Sequence, residues 1–542
     1  MTYTVKDNCI ACDLCQPNCP TGAIKSDTDR DGYWIDPTLC DGCPDVAVPR
    51  CIQSCETGAL VPLQPKKGRC KSTLLPVAIP SIFINQATTP FASCMVIWEA
   101  CNILAQREAL PWQPDADGFL CYQRSVNRDR GEIRFRLAAD PEADECKPMM
   151  TAVASEAIST FDIRAACVHL IFAAQAMTID YPWRESFVLN DQHIEQYLGL
   201  DKRKDLSKLE KLTLIKQWVH QSCQILVSLD WPRQGRVNAF CLAEHPIWQL
   251  LDTQYYFDED AQGAQHLIGL GFTIQAGQWA RHFLNKHEYR AQTAFYQYGV
   301  LPQSLIKEVM NNWQQHEGAV RLLLWNLFKL RIGGDQRMKI TTLLRIAYGK
   351  ERLQKAMTVR GIHKRLIKTF EGDLETLYYY GLKPLFDAVT YPSDIQPLWF
   401  KSTEIPDDVD DALDFWVEDA NRTDGLTANA PKDKWQRLLN ARIIGFDLSD
   451  EWQGNVRRRN PKKRRQKSKH WTVTQKNKQK LSGEDINTAR RQQKLSQRAL
   501  AEQLGKSQSW IRDVEKGRFA AKGNDQARLR EVLSIREQTE SH

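Results

Sequence analysis

Along most of the chain, apolar positions recur every three to four residues, the period of a helix with one buried face. From Met149 onward this pattern dominates and predicts helices. The longest nearly charge-free run, Ala165 to Ile179, has 15 residues and includes His169 and Gln175. That is short of the ~20 a membrane-crossing helix needs, so no span is expected. One stretch has a different period: Ile133-Arg-Phe135-Arg-Leu137 alternates as a half-buried strand does. Residues 66–150 also hold proline-interrupted apolar runs such as LLPVAIPSIFI, whereas residues 1–65 lack a helical period and are rich in turn signals. The last sixty residues return to compact helices. Ile486 to about Lys494 forms the first, Ser496 caps Gln497–Leu504 before Gly505, and Ser507 caps Gln508–Glu515 before Gly517. A further helix is expected near Gln526–Ile535. Leu500, Leu504, Ile511 and Val514 fall where two short crossed helices would each bury one face.

These patterns predict a multidomain, mainly α protein. A short, turn-rich module over 1–65 precedes a large, mostly helical middle region over 66–450. A basic arm over 451–480 then leads to an all-α module over 481–542. Charge and cysteine follow the same divisions. The chain has 542 residues and a net charge of +7, but Arg457 to Lys480 carries twelve Lys or Arg and no acid. The first 456 residues sum to −8, and Glu404 to Asp419 contributes eight acids without a base. Eight of the 16 cysteines lie between Cys9 and Cys55. The N-terminus lacks the apolar core of a secretory signal, so a reducing cytoplasm is expected, where metal or cluster ligation explains grouped thiols better than disulfides.

The grouped thiols form two sets, Cys9-x2-Cys12-x2-Cys15-x3-Cys19-Pro20 and Cys40-x2-Cys43-x7-Cys51-x3-Cys55. Each ends in a matching phrase, CPTGAI and CETGAL, so the segment reads as internally duplicated. Tight spacing keeps three sulfurs on the concave side of a loop, as a cubane iron–sulfur core requires. The pattern resembles the two-[4Fe–4S] bacterial-type ferredoxins, which implies a small α+β fold for residues 1–65. That resemblance implies Cys9, Cys12, Cys15 and Cys55 for one cluster and Cys19, Cys40, Cys43 and Cys51 for the other. Two departures concern the second set: seven residues separate Cys43 from Cys51 where the simplest ferredoxins have two, and Glu56 stands where proline is expected. A zinc ribbon also uses CxxC pairs but does not explain the first set. Cys94 and Cys101 are seven apart and Cys70, Cys121, Cys146, Cys167, Cys223 and Cys241 show no ligand spacing; most read as small apolar residues, with a third cluster or redox pair in 70–146 as the lesser alternative.

At the other end, LSQxxLAxxLGxSxxxIxxxEKG resembles the Cro/repressor-like (XRE) helix-turn-helix. The resemblance places Gln508–Glu515 in the major groove. Gln508, Ser509, Arg512 and Asp513 then face base edges, Gln508 suiting adenine and Arg512 guanine. Gln497, Lys516 and Arg518 are placed for backbone phosphate. Trp510, beside the reading positions, suits either cover over a thymine methyl or sugar or, the favoured reading, packing on the first helix. The neighbouring basic arm strengthens the expectation of double-stranded DNA as partner.

Two middle segments, Phe187 to Val227 and Met338 to Phe370, resemble winged-helix modules, each offering a short helix, a Gly-containing turn and a longer basic helix, although a helix pair with basic solvent faces is the commoner explanation of such a pattern. No GxGxxG, Walker-type loop or HExxH is present, and His169 and His220 lie in helical patterns, so no enzyme is expected. The order of parts resembles the cyanobacterial PatB/CnfR regulators, which activate nitrogen-fixation genes when oxygen is low. That resemblance implies a cytoplasmic, nucleoid-associated, oxygen-responsive transcription factor with two [4Fe–4S] clusters. It would bind promoter DNA as a homodimer and work with RNA polymerase or a redox partner. Two rivals remain at this point: an electron-transfer protein of ferredoxin type, and a replication or partition protein with a structural cluster domain.

Overall fold

The computed structural model describes residues 2–27, 32–63, 81–83, 87–127, 129–143, 146–259, 265–332, 337–359, 361–403, 405–406, 408–420, 426, 431–449, 452, 481–519, 521 and 523–534. Cys70 and most of the 451–480 arm lie outside the described residues.

The N-terminal module consists of two small antiparallel pairs, Tyr3–Val5 with Leu60–Pro62 and Ile24–Asp27 with Gly32–Ile35. Its halves repeat one another. The Lys6 amide donates to the Ala59 carbonyl (2.9 Å), and the Asp36 amide donates to the Ala23 carbonyl (2.8 Å). Val5, Ala23, Ile24, Ile35, Ala59 and Leu60 form a core of their own with Cys15 and Cys51. Too few apolar side chains are available here for a large hydrophobic core, so the thiols sit among them.

Mostly helical describes the middle region incompletely: of the described residues, 45% are in helix and 23% in strand. Ile133, Phe135 and Leu137 are buried on a strand, as their alternation predicts, while Arg134 and Arg136 face the other side. That strand belongs to a five-stranded sheet running, in order, Phe240–Pro246, Ile225–Trp231, Gly131–Leu137, Leu120–Val126 and Gln113–Pro114. The long hairpin Trp248–Glu259 with Gln265–Ala276 follows. Its second strand alternates over Leu270–Ala276, whereas its first strand groups Leu250 with Leu251 and Tyr255 with Tyr256 and Phe257 around two register shifts, so the helical reading of this stretch passed over both.

Two further sheets share one arrangement. Ser186–Asn190 pairs with Gln265–Ala276, the last strand of its hairpin, and Met338–Lys339 pairs with Arg442–Leu448, the last strand of the other. Between first strand and hairpin, each unit has a helix pair: Asp191–Leu198 with Lys208–Cys223, and Ile340–Thr358 with Ile362–Tyr379. The two segments singled out in the sequence fall on these helix pairs. Asn190 caps the first helix, Gly199 ends it in the left-handed conformation, and Ser207 with Glu210 closes a capping box at the start of the second. Gly349 (φ 81°) breaks Ile340–Thr358. In the second unit a long insertion separates the hairpin strands Leu382–Phe386 and Arg442–Leu448. It contains the Val409–Ala420 helix, which holds much of the acidic stretch.

One continuous core runs from Ile82 to Trp452. The Ala165–Gln175 helix lies wholly inside it. There Trp248 Nε1 donates to His169 Nδ1 (2.8 Å), and His169 Nε2 lies 3.0 Å from the Ile97 carbonyl. Burial pushes His169 down to about 4, so it is a neutral core histidine. Among the described residues no single helix is long and apolar enough to cross a membrane, although Thr151–Thr160 and Ala165–Gln175, bent by 91°, would be by joint length and composition.

Candidate cluster site and nucleic-acid interface

Eight thiols surround two cavities in the N-terminal module. Cys9, Cys12, Cys15 and Cys55 line one, together with Val5, Ile10, Ala59 and Leu60. Cys19, Cys40, Cys43 and Cys51 line the other, together with Ala23, Ile24 and Ile35. Left-handed backbone at Ala11 and Asp13, and again at Gly42 and Cys43, bends the two ligand loops sharply. The longer spacer after Cys43 is taken up by a turn and by the Arg50–Gln53 helix, which carries Cys51. The last thiol of each set is held in the same way. Cys19 Sγ lies 3.5 Å from Thr21 Oγ1 and Cys55 Sγ 3.6 Å from Thr57 Oγ1, with Gly22 and Gly58 both at φ 61°.

The thiols sense one another. Burial raises Cys51 to about 11, aided by the like charges of Cys43, Cys40 and Cys19. Cys15 is raised by burial and by Cys9, Cys55 and Cys12. At Cys19 and Cys55 burial acts upward, but hydrogen bonds from Thr21 or Thr57 and nearby amides outweigh it and leave both lowered. Four mutually repelling soft donors around an apolar-walled space are the donor set of a cubane, whose iron offsets that repulsion. Among the described residues no three His, Cys, Asp or Glu close on a position for one metal ion; the thiols ring a space instead. Of the remaining cysteines, Cys94, Cys101, Cys167 and Cys223 are buried in the main core, Cys121 is buried, and Cys146 and Cys241 lie nearer the surface.

Sequence reading missed how this module docks. Lys216, on the Lys208–Cys223 helix, donates to Asp36 Oδ2 (2.6 Å) in a pair with side chains 7% and 2% exposed. Trp34 packs on Tyr255 (4.2 Å between centroids) and Phe257 of the long hairpin. Asp36 also accepts from the Thr38 amide and hydroxyl, and its own carbonyl accepts from the Cys40 amide (3.0 Å). The carboxylate that holds the joint is therefore one turn from a cavity-lining thiol.

In the C-terminal module the helices are Gly483–Gln492, Gln497–Leu504, Gln508–Glu515 and Gly523–Val532. The first and last begin three residues earlier than the apolar pattern suggests, the first because Ser482 with Asp485 makes a capping box ahead of Ile486. Ser496 and Ser507 cap the middle helices, and Gly505 (φ 65°) makes the turn. Leu500, Ala501, Leu504, Ile511 and Val514 are buried together. Trp510 packs on that core, with Lys506 over its ring.

The seven residues expected to meet DNA are placed unequally. Lys516 and Arg518 are exposed and Ser509 is half-buried. Asp513 accepts from Arg518 (3.0 Å). Gln497 is a correction: its side chain turns inward and donates to Glu515 Oε2 (2.9 Å), so only its place at the helix N-terminus faces outward chemistry. Gln508 is 8% exposed, and Arg512 donates to the carbonyls of Thr403 (2.8 Å) and Ile405 (3.4 Å). Arg490, which sequence reading passed over, is buried between Glu515 (2.7 Å) and Asp411 of the acidic helix (3.2 Å). Hence the module rests against the acidic segment on its reading side.

Family comparison agrees with both ends. Residues 2–25 match the 4Fe-4S binding domain family, and residues 486–525 match the family described as Helix-turn-helix. A "Ferredoxin-like protein in nif region" from Trichormus variabilis is 48% identical over 59 residues, covering 10% of this chain and 50% of that protein. A "Ferredoxin-like protein in vnf region" from Azotobacter vinelandii is 43% identical over 47 residues, 9% of this chain and 69% of that protein. The chain spans about half the length of the nif-region relatives it matches. A crystal structure of domains 2 and 3 of RctB covers 52% of this chain and 84% of that one at 14% identity, with a TM-score of 0.28. With an iron–sulfur binding fold at one end and a helix-turn-helix at the other, the chain belongs, through its N-terminal stretch, to the ferredoxin-like 4Fe-4S binding family.

Proposed function

We propose that this chain is an oxygen-responsive transcription factor that activates nitrogen-fixation genes when oxygen is low. The observation that carries the reading is the pairing, in one chain, of two four-thiol cavities with a helix-turn-helix. The nif- and vnf-region names of the relatives support the genetic setting. Two [4Fe–4S] clusters are assigned, one on Cys9, Cys12, Cys15 and Cys55, the other on Cys19, Cys40, Cys43 and Cys51. When bound, they supply an oxygen-labile cross-link that draws the ligand loops together. The chain's residues do the rest. With the loops folded, Asp36 stays on Lys216 and the module stays on the body; with the Cys40 loop loosened, that carboxylate loses its turn and the joint opens. DNA is read by Gln508 and Arg512, with Lys516, Arg518 and the basic arm on phosphate. The chain acts as a homodimer on promoter DNA in the cytoplasm, without catalytic chemistry of its own.

Anaerobic purification should yield about eight iron and eight sulfide per chain, the content of two cubanes. Cys12→Ser and Cys43→Ser should each lower that content and abolish promoter activation. Full activation in both variants, or genome-wide DNA occupancy that is the same with and without air, would overturn the assigned role.

A further inference from the structure

We infer that the Val409–Ala420 helix and the residues leading into it are a built-in competitor of DNA for the helix-turn-helix. Cationic side chains from three helices of the C-terminal module converge on this one strap. Arg491 pairs with Asp408 (3.1 Å), Arg490 with Asp411 (3.2 Å) and Arg498 with Glu418 (3.9 Å), and Arg498 also lies over the Phe415 ring (5.8 Å). Ser496 Oγ, at the start of the second helix, lies 3.4 Å from Glu418 Oε1. Arg512 is taken by the carbonyls of Thr403 and Ile405. Carboxylates and carbonyls thus fill the places on Arg and on a helix N-terminus that phosphate and base acceptors take when such a module reads a duplex.

The strap is built for this partner and not for the body that carries it. Its inner side holds Asp411, Phe415 and Asp419, while Val409, Leu413, Trp416 and Val417 are exposed. A helix selected for packing would turn those four inward. None of its side chains belongs to the main core, so lifting it away costs little buried apolar area. The strap occupies Arg512 and backs the helix that carries the nearly buried Gln508, so base reading requires it to leave.

The inference rests on the reading of DNA by the Gln508–Glu515 helix, and the test separates the two. The probe is a duplex enriched from a random-sequence library by the full-length Asp408→Asn/Glu418→Gln variant, whose altered side chains are each nearly half exposed. This variant should bind that duplex roughly twofold to thirtyfold more tightly than wild type, the range two partly exposed pairs carry. In wild type, amide exchange across residues 409–420 should quicken when the duplex is added. Equal affinity of the two proteins, or unchanged exchange, overturns the inference while the DNA reading stands if Gln508→Ala/Arg512→Ala loses site-specific binding. Retained site-specific binding in that last variant overturns both.

Discussion

Both ends of the chain are tied to the middle body by a buried ion pair, yet the two joints differ in kind. At the N-terminal joint, Lys216 and Asp36 meet beside aromatic packing of Trp34 on Tyr255 and Phe257, and the carboxylate is also fixed by its own turn. At the C-terminal joint, Arg490 is shared between Asp411 and its own module's Glu515, and the surrounding pairs are partly exposed. The first joint loses a partner only by local unfolding. The second can exchange its carboxylates for another anion without leaving any arginine bare. Under the proposed function, a firm joint suits a sensor whose loops must be felt by the body, and an exchangeable one suits a reader that must let go.

Breaking the firm joint should have the largest effect. Asp36→Ala leaves Lys216 buried without its carboxylate and should lower unfolding stability by about 3–5 kcal/mol, read by denaturant titration of the anaerobic protein. Asp36→Leu with Lys216→Met should recover most of that loss. If the single change costs under about 1 kcal/mol, the two joints are alike and the contrast is lost.

An intermediate effect belongs to the body and serves as its control. His169 is held near 4 by burial, below its unfolded value of about 6.5. The unfolded chain therefore binds the extra proton first, and stability falls as pH drops from about 6.5 toward 4, by up to about 3 kcal/mol. Melting curves of wild type and His169→Gln across that range should diverge least at the acid end.

Salt should produce the smallest change and should sort the joints. The pairs Arg491–Asp408 and Arg498–Glu418 are screened by water and each carries about 0.2–1 kcal/mol. Raising ionic strength should speed amide exchange across residues 409–420 before it affects the Lys216–Asp36 contact. Simultaneous opening of both would show that burial does not separate them.

What could be read in the sequence was what is local. The thiol spacing, the repeated TGA phrase, and Ser496, Gly505 and Ser507 act within a few residues, so loops and helix caps show directly in the order of amino acids. Partners far apart leave no such trace. Lys216 and Asp36 are 180 positions apart and Arg490 and Asp411 are 79 apart, and none of the four stands out by spacing. Gln497 shows the same limit at short range. Its place at a helix start suggested phosphate, but Glu515 in the next helix draws its side chain inward. Of the strands between Ile225 and Ala276, Leu270–Ala276 carried a clear period of two, too short to stand out beside the apolar runs and helical segments around it.

The placement of Asp36 one turn before Cys40 has a reciprocal consequence. If filled loops favour docking, docking must favour filled loops by the same free energy. The body is then a guardian of the metal: a chain whose joint is weakened should lose iron faster under air even though all eight thiols are intact. The oxygen threshold of such a device would be set as much by a lysine on a distant helix as by the sulfur ligands themselves.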